Sequence, residues 1–392
     1  VLCGRVECDG PGANAVHDFV YGRRYRGRDK PVSLAPHSLP VTEGIQRSLN
    51  GLHGVLRDAA PDAWGRRVMA HRLAMAPEQA EEQLTEVDYL LGPGQSRPGA
   101  LLFSSTPDAP PDSALPDGDL AQFVGAVDAV ERDAPMTPAM RAALEHGTSI
   151  GGARPKVLAS FNGRPVIAKF SSNTDTYPVV AHEALALDLA RAAGLDTPGW
   201  HVETIAGRQA LMVQRFDVDP NGVERRRHFF SALTALELHE DEARHASYPD
   251  LASFLNRYGA PWPAESEKLF RRMVFNILIG NTDDHARNHA VFWHGNSVGL
   301  TPAYDLCVIP RVGEVSSQAM VVGERGTEAS LKNALSQAHY FALDDAWARE
   351  IAESVEQAIR DRWNEACNTV GITEPRRRDL WGRAVLSDTV RQ

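Results

Sequence analysis

Cysteine is scarce in this chain. Four thiols, Cys3, Cys8, Cys307 and Cys367, are spread over 392 residues with no CxxC pair among them. That spacing argues against a structural zinc site or a disulfide framework and for a reduced, cytoplasmic setting. Long apolar runs are missing too, since no stretch approaches the ~18 residues a membrane helix needs. Positive charge is not in excess: the formal net charge is -10 and the pI about 5.8, which argues against a dedicated nucleic-acid surface. The arginine triplets at 225–227 and 376–378 read as solvated faces. The opening VLCGRVECDG meets charges before any apolar core can form, so it is no signal peptide, and with no initiator Met it implies trimming upstream. No internal repeat is visible.

What is present divides the chain into segments. SSTPDAPPDSALPDG, residues 104–118, has linker composition and sets off an N-terminal unit of about 100 residues. That unit begins with short strand-like segments, shows helical patterns around 43–58, 61–75 and 77–91, and closes on LLGPGQSRPGALLF. Helical segments follow near 119–131 and 137–146. KVLASFNGRPVIAKF then holds two alternating runs joined by Asn162-Gly163, a strong hairpin signal. A helix is expected over 179–193, stopping at Gly194, and strands at 200–205 and 209–216. Beyond 228 the pattern is chiefly helical.

Three stretches carry chemistry. SEKLFRRMVFNILI, residues 266–279, sets Leu269, Phe270, Met273, Val274, Ile277 and Leu278 on one helical face, and Gly280 ends that helix. LIGNTDDHARNHAVFW therefore places Asp283 and Asn288 on a loop between a buried helix and a hairpin, with Asp305 ending the second strand of that hairpin. A carboxylate to take the nucleophile's proton, with an amide and a second carboxylate to hold magnesium, suits phosphoryl transfer. The five-residue step from Asp283 to Asn288 resembles the spacing of a protein-kinase catalytic loop. The plain alternative is a polar turn with capping Asp and Asn. His285 and His289, four apart, do not share a helical face and are poor metal ligands there. TSIGGARPK, residues 148–156, offers Gly151 and Gly152 for an anion cradle and Lys156 for charge, or else merely a glycine turn before the hairpin. VIAKF ends in Lys169, a phosphate-pairing lysine with Glu183 on the next helix as its partner, or else an exposed strand lysine. The order of these parts along the chain favours the functional reading of each.

In that order the sequence resembles the HipA family of bacterial serine/threonine kinases, the toxin halves of toxin–antitoxin pairs. SIGGARPK, RFD, GNTDDHARN and LTPAYD stand where that family has its phosphate loop, hinge, catalytic loop and metal-binding Asp. LHGVLRDAAPDAWGR and LLGPGQSRPGALLF extend the likeness over nearly the whole chain. The resemblance implies an α+β, two-lobed protein-kinase-like fold, a small mixed β-rich lobe and a larger helical one, with an N-terminal α/β subdomain. Its divisions would fall at 1–110, 119–218 and 219–392. It implies ATP and Mg²⁺ as cofactors, Asp283 as catalytic base supported by Lys169 and Glu183, and Asn288 and Asp305 on the metal. Gly151, Gly152, Ala153, Arg154, Lys156 and Lys169 would hold the phosphates. Main-chain groups of Gln214, Arg215 and Phe216 would meet the adenine, and His285 and Tyr304 would lie beside the nucleotide. Gln214 departs from the acidic residue of some members. Ser149 matches the family's autophosphorylated serine.

By the same resemblance the substrate is a translation factor, typically an aminoacyl-tRNA synthetase, whose phosphorylation arrests growth and gives persistence. The partner is a helix-turn-helix antitoxin that carries the complex to operator DNA. Two other functions compete: a small-molecule phosphotransferase with the same catalytic parts, and a non-enzymatic corepressor. Retention of Lys169, Asp283, Asn288 and Asp305 counts against the second of these.

Overall fold

A computed structural model describes the chain except residues 11–14, 49–50, 74, 93–96, 108–119, 133, 146–151, 153, 220–221, 261–262, 311–312, 314–315 and 392. Contacts divide it into two compact units, one of residues 1–173 and 203–228, the other of 174–202 and 229–392.

In the first unit, β1 (Gly4–Asp9), β2 (Val16–Tyr21) and β3 (Gln46–Arg47) form an antiparallel sheet in the order β1-β2-β3. The second sheet has β4 (Lys156–Phe161), β5 (Arg164–Phe170), β6 (Trp200–Ile205) and β7 (Arg208–Gln214) in the order β4-β5-β7-β6. The expected turn joins β4 to β5: Asn162 and Gly163 have φ of 51° and 72°, the left-handed pair that a tight hairpin requires. Strands β8 (Val218–Asp219) and β9 (Gly222–Arg226) make a short ribbon.

One apolar core ties this unit together. Trp64 and Val68 from helix Ala63–Arg72 pack with Phe123, Val124 and Val127 of helix Leu120–Glu131 and with Val157, Val166, Ala168, Phe170 and Met212 of the sheet. The N-terminal segment is thus joined in one core to the sheet beyond the 104–118 linker. Two expected helices differ. Among the described residues of 43–58 the regular elements are β3 and the four-residue helix Gly54–Arg57, because Gly44 and Gly51 take left-handed φ of 91° and 69° that interrupt a helix. The 77–91 pattern splits into Pro77–Gln83 and Glu86–Leu91, where Leu84 is extended and Thr85 starts anew with a capping box to Asp88.

The second unit is built around helix Ala264–Ile279. Its sequence suggests one apolar face, yet Arg272, Phe275 and Asn276 are buried as well, since helices pack around it. Gly280, with φ 68°, provides the expected left-handed stop. Helix Asp345–Thr369 buries a stripe of Ala348, Ile351, Ala352, Val355, Ile359, Trp363 and Ala366, and Asp344 caps it by accepting the Trp347 N–H. That stripe packs on helix Val179–Ala192, and the Arg362 guanidinium bonds the Asp188 carboxylate at 2.6 and 3.1 Å. These contacts explain why residues 174–202, expected in a small lobe of 119–218, cluster with the second unit. Strands β10 (Phe229–Ser231), β11 (Ala290–Trp293) and β12 (Val298–Leu300) form an antiparallel sheet.

Candidate functional site

In the first unit the register of β4 and β5 sets Lys156 directly opposite Lys169, so both side chains leave the same face of the sheet. Like charges so placed repel. Lys156 is buried against Gly152: a Cβ on that glycine would stand 2.3 Å from the lysine Nζ, and its φ of +106° is a conformation side chains avoid. Gly152 is tied on both sides to the N-terminal segment. Its N–H donates to Asp62 Oδ2 at 2.9 Å, and its carbonyl accepts the Trp64 N–H at 3.1 Å. Arg154 begins the approach to β4; Ser149, Gly151 and Ala153 lie outside the described residues.

The expected adenine-facing stretch is more committed to structure than the sequence suggests. Gln214 is the last residue of β7, and the Arg215 N–H donates to the Pro165 carbonyl at 3.0 Å, so that donor is already used. The Arg215 side chain turns inward, bonding Asp217 at 3.0 and 2.6 Å and the Arg97 carbonyl at 2.9 Å. Asp217 in turn accepts the Gly99 N–H at 2.7 Å. Arg97 is fully buried, donating to the carbonyls of Ala59 and Leu90, and burial with the nearby Arg226 charge pulls its pKa down to about 10. In RFD, therefore, the arginine and aspartate hold the glycine-rich GA segment in place. Phe216 is half-buried beside them.

In the second unit the loop after Gly280 sorts its polar residues by depth. Asp283 is exposed and His285 half-buried, while Asp284, Asn288 and His289 are buried. Asn288 Nδ2 donates to the Asp283 carbonyl at 2.7 Å, and the Asn288 N–H to the His285 carbonyl at 2.8 Å. The first bond fixes which way the amide faces and leaves its oxygen as the atom for a cation. Tyr304 supports the same loop through its hydroxyl, which donates to the Arg287 carbonyl at 2.7 Å.

Asp305 is placed differently from the sequence expectation. Strand β12 stops at Leu300, before Pro302, and Asp305 lies in the irregular stretch beyond it. Its φ is 57°, rare for a residue with a side chain and a mark of functional sites where the surroundings enforce it. An amide oxygen and a carboxylate are hard ligands that suit Mg²⁺, which takes one or two protein oxygens and completes its shell with phosphate and water. Among the described residues no group of three or more His, Cys, Asp or Glu could hold a metal.

Beneath this loop is a buried polar cluster that the sequence did not reveal. The Asp284 carboxylate accepts the Ala319 N–H at 3.1 Å, the Gln318 amide at 3.0 Å and the Tyr248 hydroxyl. Tyr248 also contacts His289 Nε2 at 3.2 Å and accepts from Asn276 Nδ2 at 3.1 Å. Asn281 bonds Asn276 at 3.2 Å, and Gln318 reaches the Asn281 carbonyl at 3.2 Å. Burial drives the shifts here: the Asp284 carboxyl is pushed up to about 7, and His289 down to about 3 with the help of Arg272 and His285. His289 is therefore a neutral member of this cluster, its Nε2 against the Tyr248 hydroxyl. A second buried histidine, His182, precedes Glu183 on its helix. It bonds the Val308 carbonyl through Nδ1 at 2.7 Å and faces Arg376 Nε through Nε2 at 3.5 Å. Burial pulls its pKa down to about 4, so it is neutral, with Nδ1 as the donor. Glu183 itself is buried in the second unit, and Lys169 lies in the first.

Residues 148–363, more than half of the chain, match the model of the HipA-like C-terminal domain. The chain belongs to the HipA-like family. A putative kinase of Sinorhizobium fredii, Y4mE, is 30% identical over 176 residues, 43% of this chain and 40% of the relative. The serine/threonine-protein kinase toxin HipA of Shewanella oneidensis is 25% identical over 203 residues, 45% of this chain and 47% of the relative. The chain thus spans less than half the length of these curated relatives in the matched stretch. Among solved structures, the Shewanella oneidensis HipA in complex with HipB and operator DNA matches with a TM-score of 0.72 and 18% identity, covering 97% of this chain and 92% of that one. The architecture is that of a HipA-type, two-lobed kinase-like α+β fold.

Proposed function

We propose that the chain is an ATP-dependent serine/threonine protein kinase of the HipA type, the toxin of a toxin–antitoxin pair. One observation carries this: an exposed Asp283 whose carbonyl is held by the Asn288 amide, the two acting on one rigid loop in a chain of this family. Asp283 takes the proton of the attacking hydroxyl as its oxygen bonds the γ-phosphorus and the bond to the leaving ADP oxygen breaks. Lys156 and Lys169 meet the phosphates, with Gly152 admitting them closely, and Glu183 supports the lysine. Asn288 and Asp305 would hold magnesium, which would supply charge neutralisation for the phosphates. The division into an N-terminal subdomain of 1–110, a small lobe of 119–218 and a helical lobe of 219–392 belongs to the same proposal, as does adenine contact by Gln214, Arg215 and Phe216, and nucleotide contact by His285 and Tyr304.

The Shewanella neighbour was solved with HipB and operator DNA; a small helix-turn-helix antitoxin is the corresponding partner here, and an acidic chain reaches DNA through it. The substrate is a translation factor, in our reading an aminoacyl-tRNA synthetase. Autophosphorylation at Ser149 would place roughly -1.5 to -2 of charge beside the Gly152 loop and repel the triphosphate. The test is transfer of label from γ-labelled ATP with Mg²⁺, to the chain itself and to a cell lysate, with the modified sites mapped. Label on a synthetase and on Ser149 is expected. Label passing only to small molecules, or to nothing, overturns the assignment.

A further inference from the structure

The loop motif contains two adjacent acids, and only Asp283 has a role in the proposed chemistry. Asp284 faces the other way. Its carboxylate is buried and collects three donors from two places: the Tyr248 hydroxyl at the start of helix Tyr248–Tyr258, and the Gln318 side chain and Ala319 N–H from the segment that follows Asp305. Around it the same chain segments are joined again. The Tyr248 N–H donates to the Val321 carbonyl at 2.9 Å, and the Val321 N–H to the Ala246 carbonyl at 2.9 Å. The Asn281 N–H and side chain both bond Asn276 on the central helix. A buried carboxylate with three donors is far too costly to keep as a spare cap, since desolvating a charge is compensated only where its geometry is held.

We propose that Asp284 is a positioning residue: it locks the loop bearing Asp283 and Asn288 to the far end of the segment that begins at Asp305, so that base and metal-holding side chains are set in one register. The proposal rests on the kinase reading for its kinetic consequences, and on geometry alone for the lock. Misplacing reacting groups by about 1 Å costs on the order of 10²-fold in rate, so the lock acts on turnover and leaves nucleotide affinity nearly untouched. The ionised carboxylate accepts all three donors, whereas protonation gives it a proton of its own and removes an acceptor. The titratable group bonded to it is Tyr248, held protonated by burial, and neutral His289 touches the same hydroxyl. Because burial pushes the Asp284 carboxyl up to about 7, turnover acquires an acid limb near that pH.

The variants are Asp284→Asn, which keeps the shape and sets an amide donor against donors, and Tyr248→Phe, which removes one donor and keeps the ring. Four quantities are read: kcat, KM for ATP, amide exchange of the peptide containing Gln318 and Ala319, and melting temperature at pH 8. Asp284→Asn is expected to lower kcat about 100-fold with KM within about twofold. It should flatten the acid limb, speed exchange at 318–319 and leave melting equal or higher, because it removes a buried charge. Tyr248→Phe gives the same pattern at about a tenth of the size. Unchanged exchange at 318–319 overturns the lock. So does wild-type kcat in both variants, or a loss of kcat that simply tracks a loss of folded protein. If the wild type transfers no phosphate at all, the kinase reading fails, while the exchange measurement still decides the lock.

Discussion

The two loops that carry the family's motifs are held in opposite ways. Among the described residues, Gly152 is tied to the part-buried Asp62 carboxylate and to the main chain of Trp64. The loop around Asp283 is tied from beneath, by a buried network of Asp284, Tyr248, Asn276, Asn281 and Gln318. The lesson is about what each must do. On the proposed roles, the loop that aims a base and a metal ligand must be right before substrate arrives. Polar residues spent underneath the second loop are what that demand looks like in sequence.

Breaking the comparison at its catalytic end gives the largest effect. Asp283→Ala should lower kcat by about 10³-fold, within the range for a general base, with melting temperature and ATP affinity unchanged, since Asp283 is exposed and its carbonyl, which Asn288 holds, is kept. Wild-type transfer by this variant would remove Asp283 from the mechanism. Asp305→Asn comes next: nucleotide affinity should fall about tenfold with Mg²⁺ present and stay level without it, as calorimetry in the two conditions would reveal. Equal losses in both would mean that Asp305 acts on the fold and not on the metal. Gly152→Ala sharpens the other side, because the new methyl must displace the Lys156 ammonium. KM for ATP should rise about five- to tenfold while kcat changes little, as 1–1.4 kcal/mol of lost binding implies.

The smallest effect concerns acid stability. His182 and His289 have folded pKa values of about 4 and 3, below the ordinary 6.5, so each contributes stability that is present above 6.5 and lost as pH falls. Asp284 works the other way, because its folded value of about 7 exceeds the usual 3.8 and stability returns as pH falls below 7. As pH falls below 6.5 the folded state resists protonation at these imidazoles and at His17, His53 and His228, which burial also pulls down, so stability falls and Asp284 offsets only part of the fall. His182→Gln should make that fall in stability shallower, which denaturant melts at pH 5, 6 and 7 would measure.

How much of this was legible in the sequence follows from the range of each interaction. The Asn162-Gly163 hairpin, the Gly280 stop and the loop position of Asp283 depend on neighbours within a few residues, and all three stand as expected. The apolar spacing over 43–58 suggested a helix that glycine conformations prevent. Asp305 was placed at a strand end although Pro302 argues locally against a strand that runs on past Leu300. The lock was invisible for a different reason. Tyr248, Asp284 and Gln318 are separated by 36 and 34 residues, and an isolated tyrosine, aspartate or glutamine announces nothing. The only hint was an excess: more hydrogen-bonding groups at 281–289 than a turn or an active loop can use.

Asp305 is subject to two sieves at once. Its left-handed backbone admits glycine, asparagine and aspartate with little strain and resists branched or bulky side chains. On the proposed role at the metal the position would also ask for an anionic oxygen, which only aspartate among those three supplies. A saturation library at this position, sorted first for soluble folded chain and then for growth arrest, would be pruned in that order. Glycine and asparagine should survive the first sort and vanish in the second, whereas glutamate, with the right charge on the wrong backbone, should be depleted in the first.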